Sequence, residues 1–167
     1  MLGIDADARA MAEVSRHAAR RHDAGARRAW FLAAGVERLP PELAGLADRV
    51  TVRFPWGSLL RGALGLDPVV TASIAGLVAP GGRLEITVSV IRRDATAVTG
   101  LDGAFDDAAR ARMATAFAVH GLQLDEARPL TAADLATLHS TWARRLGAGG
   151  DRSAWHVSFA RPCGAVG

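Results

Sequence analysis

Two hydrophobic periods alternate along this chain, one repeating every second residue and one repeating about every 3.6 residues. The first period is typical of half-buried strands and the second of amphipathic helices. Strands are predicted at residues 29–34, 49–54, 83–91, 122–128 and 155–160, with the tail of another at 2–4. The strand at 29–34 is expected to be buried, because it contains a continuous run of apolar residues. Helices are predicted at residues 6–22, 68–78 and 106–120, with a short one through Leu59 and Leu60 and another after Thr131.

Strands that alternate with helices predict an α/β fold with a mostly parallel, doubly wound sheet. The last two strands are separated by a helix-bearing insertion, which favours an antiparallel edge at the C-terminal end of that sheet. Residues 79–82, with sequence Ala-Pro-Gly-Gly, are predicted to turn the chain into the strand at 83–91. A chain of 167 residues, half of them hydrophobic, is long enough for one core, so we expect a single domain over residues 1–167.

Pro55 and Trp56 follow the alternating residues of the strand at 49–54. Proline cannot extend a sheet ladder, so Trp56 is expected on the loop at the carboxyl end of the strand, where open α/β sheets bind ligands. The indole there either caps the core or offers a platform for a planar ligand. Trp142, beside Arg144 and Arg145, is a second candidate platform, although it also fits the apolar stripe of its own helix. Two aromatic platforms with arginines nearby favour a flat base attached to phosphate.

The charge composition permits a nucleic-acid partner without requiring one. All twenty basic residues are arginine and the formal net charge is +3. Arginine suits bidentate contacts with phosphate, but a GC-rich gene produces the same bias. Cys163 is the single cysteine, which excludes an internal disulfide and fits the cytoplasm. No apolar run approaches the ~18 residues that cross a bilayer, no signal peptide is expected, and the five histidines lack metal-ligand spacing, so we expect no membrane and no metal.

Several segments together resemble the aminoglycoside-resistance 16S rRNA (adenine-N1) methyltransferases of the kanamycin and apramycin resistance type. This family belongs to the class I S-adenosylmethionine-dependent methyltransferases, which have a Rossmann-like fold. The resemblance implies S-adenosylmethionine as cofactor, the small ribosomal subunit as partner and a monomer. The segments that carry it are residues 2–7 (LGIDAD), 36–41 (VERLPP), 54–62 (FPWGSLLRG) and 140–146 (STWARRL), and residues 77–84 look like the turn before the fifth strand of that fold.

The resemblance also assigns residues to the cofactor. Asp5 lies at the end of the strand at 2–4, which corresponds to a truncated second strand of the family fold. A carboxylate there can accept both ribose hydroxyls of a nucleotide-like cofactor, and its alternative role is that of a helix N-cap. The residues after the strand at 29–34 are expected to hold the cofactor adenine. The full set of expected cofactor contacts is Asp5, Val36, Glu37, Phe54, Pro55, Trp56 and Ser58.

By the same resemblance, Trp56 and Trp142 hold the target adenine between them, and Ser140 helps to orient the base or the cofactor. N1 of adenine is buried in a helix, so an enzyme that acts on it must extrude the base and hold it by stacking. Three further positions are expected to clamp the RNA backbone, with a solvated helix end as the alternative. They are Arg144, Arg145 and Arg152.

The sequence also departs from the family pattern. The family's first strand and Gly-rich turn are expected before Leu2 and are absent, and Gly149-Gly150 stand where the family often has another arginine. Either Met1 is a misassigned start or the gene is truncated, and in both cases we expect this N-terminally incomplete chain to bind cofactor poorly. The preferred function is methylation of N1 of a decoding-site adenine, which gives aminoglycoside resistance. The alternatives are a methyltransferase of this fold acting on another RNA or a small molecule, and an inactive RNA-binding remnant.

Overall fold

A computed structural model of the chain describes residues 1–20, 28–89, 105–138 and 153–164. The chain forms two compact units, residues 1–41 and 42–167. The expectation of a single domain stays a prediction. Within the described ranges, no helix has both the length and the apolar character needed to span a bilayer.

The described residues of the first unit form two parallel strands and one helix. They are β1 (Leu2–Asp5), α1 (Ala8–Ala19) and β2 (Trp30–Ala33), followed by a 3-10 turn at Val36–Arg38. The strand predicted at 29–34 is confirmed, but the expectation that it is buried is wrong. Trp30 is 73% exposed, and no described residue of this unit is fully buried. Two strands and one helix provide too few layers to cover both faces of the pair.

The second unit contains a four-stranded sheet in the order β3-β4-β6-β5, with helices between the strands. The β3–β4 pair is parallel, whereas β6 is antiparallel to both β4 and β5, so the predicted antiparallel edge is confirmed. After a 3-10 turn at Pro41–Leu43, the elements formed by the described residues are β3 (Ala47–Arg53), α2 (Gly57–Ala63), α3 (Pro68–Gly76), β4 (Val78–Ser89), α4 (Asp107–Ala118), β5 (Gln123–Pro129), α5 (Ala132–Thr137) and β6 (Ala154–Ala160).

One face of this sheet carries the core. Leu84, Ile86 and Val88 of β4 are completely buried and alternate along the strand, as the sequence pattern predicts. On this side the ring of Phe159 in β6 lies 4.7 Å from the ring of Phe117 in α4, measured between centroids. The opposite face is polar, because the residues between the apolar ones are mostly charged or hydroxylated. The register of the ladders places on it Arg49, Thr51, Arg53, Arg83, Glu85, Thr87, Glu126, Arg128, His156 and Ser158.

Strand β4 begins earlier than the sequence pattern indicates. The turn predicted at 79–82 is an irregular stretch inside the strand, where the β3–β4 register shifts. Gly81 adopts a positive φ of 78°. Its N–H donates to the Arg161 carbonyl at 3.0 Å, and the Arg161 N–H donates to the Gly82 carbonyl at 2.9 Å. These two bonds extend the pairing with the chain after β6 and keep the Gly-rich segment in the sheet.

Helix α5 begins at a capping box that the spacing of Thr131 and Asp134 predicts. The Asp134 carboxylate accepts hydrogen bonds from the Thr131 N–H and hydroxyl, both at 2.8 Å. The Arg128 guanidinium donates to both carboxylate oxygens of Asp134, at 3.0 and 3.3 Å. The hydrogen bond from Arg128, with those from Thr131, holds the pKa of Asp134 far below its usual range. The C-terminal end of β5 and the first turn of α5 are therefore joined by these contacts.

Gly62 allows α2 and α3 to pack closely. A Cβ at this position would overlap the Val70 side chain and approach the Val70 carbonyl carbon to 3.1 Å. We expect Gly62→Ala to lower the free energy of unfolding by roughly 1–3 kcal/mol, because the extra methyl overpacks the contact. Chemical denaturation measures this change. Gly76→Ala is the control, since nothing lies within 4 Å of a Cβ there, and an unchanged stability for both variants would contradict the packing described.

The depressed pKa of Asp134 predicts how stability depends on pH. In the unfolded chain, the Asp134 carboxylate is protonated around its ordinary pKa of 3.8. In the folded chain its pKa is lowered, so it is protonated only at much lower pH. The wild type should therefore be more stable than Asp134→Asn by a constant amount above about pH 5, and this advantage should shrink as the pH falls further. Urea denaturation of both proteins from pH 7 to pH 3 measures it. Parallel stability profiles over this range would show that the Arg128 contact does not form.

Candidate active site

The turn between β3 and α2 presents Trp56 to solvent. The indole is 84% exposed, whereas the preceding Pro55 is buried. The alternative that Trp56 caps the core is therefore wrong. Its ring is therefore accessible to a ligand.

The backbone of this turn is strained and held from both sides. Strand β3 ends at Arg53, one residue earlier than predicted, because Phe54 adopts a φ of 47°. Among the described residues, Phe54 is the only non-glycine with a positive φ, a conformation that costs about 1–3 kcal/mol. Its N–H donates to the Thr87 carbonyl at 2.8 Å, and Gly57 follows with a φ of 59°. Strain of this kind persists only where the surrounding structure enforces it, and it is concentrated at functional sites.

Helix α2 fixes the other side of Trp56. The Trp56 carbonyl accepts a hydrogen bond from the Leu60 N–H at 3.3 Å, at the start of the helix. Leu60 and Ala63 are buried, so the helix is anchored in the core of its unit. Ser58, the other expected cofactor contact on this helix, is exposed in its first turn. The indole therefore extends from a fixed backbone while its ring remains accessible.

In the first unit, Asp5 lies at the carboxyl end of β1. Its carbonyl accepts a hydrogen bond from the Ala34 N–H at 2.9 Å, so the ends of β1 and β2 lie together. The N-cap of α1 is Asp7, whose carboxylate accepts from the N–H groups of Arg9 and Ala10. The helix-capping alternative for Asp5 is therefore wrong. Its Oδ1 accepts from the Asp7 N–H at 2.8 Å, and no described residue donates to Oδ2.

This corner fits the nucleoside part of S-adenosylmethionine. The exposed Asp5 carboxylate keeps one oxygen available for a ribose hydroxyl. Val36 and Glu37 occupy the 3-10 turn that directly follows the end of β2. Glu37 is exposed and Val36 is half-buried, so an apolar and a polar side chain both lie at the strand end expected to hold the adenine.

The remaining expected site residues lie outside the described part of the chain. They are Ser140, Trp142, Arg144, Arg145 and Arg152, and their roles stay predictions. Within the described residues, no cluster of histidine, cysteine and carboxylate side chains could hold a metal ion.

Helix α1 carries basic residues that the sequence analysis did not identify. Arg16, His17 and Arg20 are exposed and, with Glu13, line one shallow surface depression. Residues 13, 16, 17 and 20 have the spacing of one helical face. That spacing was the available signal, and a search for basic stripes on predicted helices would have found it.

The family model and the sequence relatives that match this chain are all described as rRNA methyltransferases. Residues 1–160 match the family described as "NpmA: 16S rRNA (adenine(1408)-N(1))-methyltransferase". A 16S rRNA (adenine(1408)-N(1))-methyltransferase of Streptoalloteichus tenebrarius is 32% identical over 155 residues, covering 91% of this chain and 71% of the relative. An rRNA methyltransferase of Saccharopolyspora hirsuta is 36% identical over 116 residues, covering 68% of this chain and 74% of the relative.

Solved structures agree with these sequence relatives. A tryptophan-to-alanine mutant of the 16S rRNA (adenine(1408)-N(1))-methyltransferase from Catenulisporales acidiphilia, with cosubstrate SAM, matches with a TM-score of 0.82 at 28% identity, over 99% of this chain and 76% of that one. The 16S rRNA methyltransferase KamB matches with a TM-score of 0.78 at 29% identity, over 96% of this chain and 76% of that one. The predicted α/β methyltransferase fold is confirmed, and the chain belongs to the 16S rRNA (adenine(1408)-N(1))-methyltransferase family, whose enzymes use S-adenosylmethionine.

Proposed function

We propose that this chain methylates N1 of the decoding-site adenine of 16S rRNA, with S-adenosylmethionine as methyl donor, and that Trp56 stacks on the extruded base. Family membership supports the reaction, and the exposed indole on the strained turn supports the role of Trp56. The added methyl group gives the base a positive charge at a position where aminoglycosides bind, and resistance follows from both the bulk and the charge.

The reaction requires positioning more than proton transfer. Bound S-adenosylmethionine supplies an electrophilic methyl group on a sulfonium. The attacking ring nitrogen of adenine carries a free lone pair, so the protein needs no general base for this step. Its contribution is to hold the base with N1 aligned with the methyl group. The face of the Trp56 indole also stabilises the positive charge that develops on the base, by roughly 0.5–2 kcal/mol.

The cofactor and the RNA are assigned to separate groups of residues. Asp5, with Val36 and Glu37, binds the nucleoside part of the cofactor, and Phe54, Pro55 and Ser58 complete the contacts beside Trp56. Ser140 and Trp142 complete the base pocket. The RNA backbone is bound by Arg144, Arg145 and Arg152, and the basic face of α1 adds Arg16, His17 and Arg20. These helix residues are exposed, as phosphate contacts must be.

The protein acts on the small ribosomal subunit, and we propose that it does so as a monomer, as one methyltransferase domain, in the cytoplasm where ribosomes are found.

Transfer of a labelled methyl group tests the proposed reaction. Purified small subunits are incubated with the protein and labelled S-adenosylmethionine, and reverse-transcription stops locate the modified nucleotide. Because the sequence predicts weak cofactor binding, the assay is run at saturating S-adenosylmethionine. Under that condition we expect incorporation and one stop at the decoding-site adenine. A methyl group on another nucleotide, or on a position of adenine other than N1, would overturn the proposal, as would the absence of incorporation.

Trp56→Ala should reduce methyl transfer strongly without unfolding the protein. Stacking of one base on an aromatic side chain contributes about 1–3 kcal/mol, so we expect the rate to fall roughly 5- to 150-fold. Trp56→Phe should retain part of the activity, because it keeps a smaller aromatic face. Trp30→Ala is the matched control, since it removes an indole of similar exposure from the other unit. Equal activity in the two alanine variants would contradict the role of Trp56.

Asp5→Ala should weaken binding of S-adenosylmethionine and leave RNA binding unchanged. A hydrogen bond from a ribose hydroxyl to a carboxylate contributes about 1.5–3 kcal/mol, which corresponds to an increase in Kd of roughly 10- to 150-fold. Isothermal titration with S-adenosylmethionine measures it. Glu42→Ala removes an exposed carboxylate elsewhere and serves as the charge control. Identical affinities for the two variants would remove Asp5 from the cofactor site.

A further inference from the structure

On the polar face of the sheet, basic and acidic residues lie in different rows across the strands. The ladder register places Arg53, Thr87, His156 and Arg128 in one row across the four strands. This row lies at the end of the sheet where β3 and β4 terminate. The next row, two residues back along β3 and β4, contains Thr51, Glu85, Ser158 and Glu126. The terminal row is therefore cationic and the row behind it is acidic.

Arginines on this face differ in whether a carboxylate neutralises them. The Arg49 Nε lies 3.4 Å from the Glu85 carboxylate, and Arg83 lies 2.8 Å from the Asp125 carboxylate. In the terminal row, Arg128 is bound to Asp134. Arg53 is exposed, and its guanidinium has no hydrogen-bond or ion-pair partner among the residues that the structure describes.

The described neighbours of Arg53 explain why none of them pairs with it. Its neighbour across the ladder is Thr87, which carries no charge and is buried. The acidic residue of β4, Glu85, lies one row back and is already engaged by Arg49. An exposed arginine in an extended strand keeps a flexible cationic group that can meet an anion supplied by a ligand.

Arg53 also lies close to the exposed indole. Arg53 and Trp56 are three positions apart in the sequence, so their Cα atoms are at most about 11 Å apart. Phe54 and Pro55 form the strained link between them, and the hydrogen bond from Phe54 to Thr87 fixes it to β4. A nucleotide whose base stacks on Trp56 therefore has its sugar-phosphate backbone within reach of the Arg53 side chain.

We infer that Arg53 binds an RNA phosphate next to the extruded adenine. This inference rests on the proposed function, because it requires the base to stack on Trp56. Arg53 acts as an RNA-binding residue at the mouth of the base pocket and makes one charge-assisted contact with the distorted strand. The contact contributes to RNA affinity and not to cofactor affinity.

The test compares Arg53→Ala with Arg49→Ala in the full chain. Both variants remove one positive charge from the same face of β3, about 13 Å apart along the strand, but the Arg49 side chain is already neutralised by Glu85. Binding to purified small subunits is measured from 50 to 200 mM salt, together with Kd for S-adenosylhomocysteine. Thermal melting of both variants confirms folding, and Arg53→Lys tests whether a charge alone suffices.

For Arg53→Ala we expect about a five-fold loss of subunit affinity and a salt slope smaller by roughly 0.7–0.9, the value for one phosphate contact. Arg49→Ala should remain within two-fold of the wild type, Arg53→Lys should restore most of the affinity, and cofactor binding should not change. Equal losses in both alanine variants, or a loss confined to S-adenosylhomocysteine binding, would overturn the inference. Subunit binding by the wild type without methyl transfer would overturn only the proposed function, whereas absence of binding would overturn both.

Discussion

The exposed position of Trp56 in the second unit depends on the left-handed backbone conformation of Phe54. A phenylalanine at a φ of 47° is unfavourable by about 1–3 kcal/mol, so the surrounding structure must hold it there. The ladder of β3 and β4 does so through the Phe54–Thr87 hydrogen bond, and buried residues of α2 do so from the other side. Between these anchors, the chain passes from strand to helix within three residues, Phe54 to Trp56, and leaves Trp56 outside the core.

The two faces of the four-stranded sheet differ in composition and in what they contribute. One face is filled with apolar side chains and is covered by helices, which supplies the stability of the unit. The other face carries charged residues that are mostly neutralised within the sheet, so they add little stability as exposed pairs. The position of these pairs matters more than their strength. They lie in the rows behind, so Arg53, at the end beside Trp56, has no partner among the described residues. A cationic side chain and an aromatic one, Arg53 and Trp56, thus lie near each other. This local arrangement does not require a strongly basic protein, and the net charge is only +3.

Local patterns were readable from the sequence, whereas features that depend on neighbouring layers were not. The alternation in β3, β4 and β6 and the capping box of α5 were predicted because both are set by residues close in sequence. The conformation of Phe54 was missed, because a strained non-glycine has no local sequence signature. Burial of β2 was predicted wrongly, since an apolar run shows what could be buried and not what covers it. The early start of β4 was also missed, because its pairing partner lies some eighty residues later.

At the candidate site too, the sequence predicts where residues lie along the chain, whereas their exposure and partners are seen only in the structure. Trp56 could be placed at the end of a strand from Pro55 alone, but its exposure, which decides between core and contact surface, required the structure. The sequence left open whether Asp5 caps a helix, and the structure assigns that role to Asp7, which leaves one oxygen of Asp5 available. In the proposed reaction, extrusion of the base opposes binding by a few kcal/mol. Stacking on one fixed indole contributes a similar amount, about 1–3 kcal/mol. A single aromatic contact therefore only offsets the unstacking. Net affinity has to come from the other proposed contacts, which are the second indole, Trp142, and the arginines that bind phosphate. An arginine beside Trp56 that no described carboxylate engages is suited to that role.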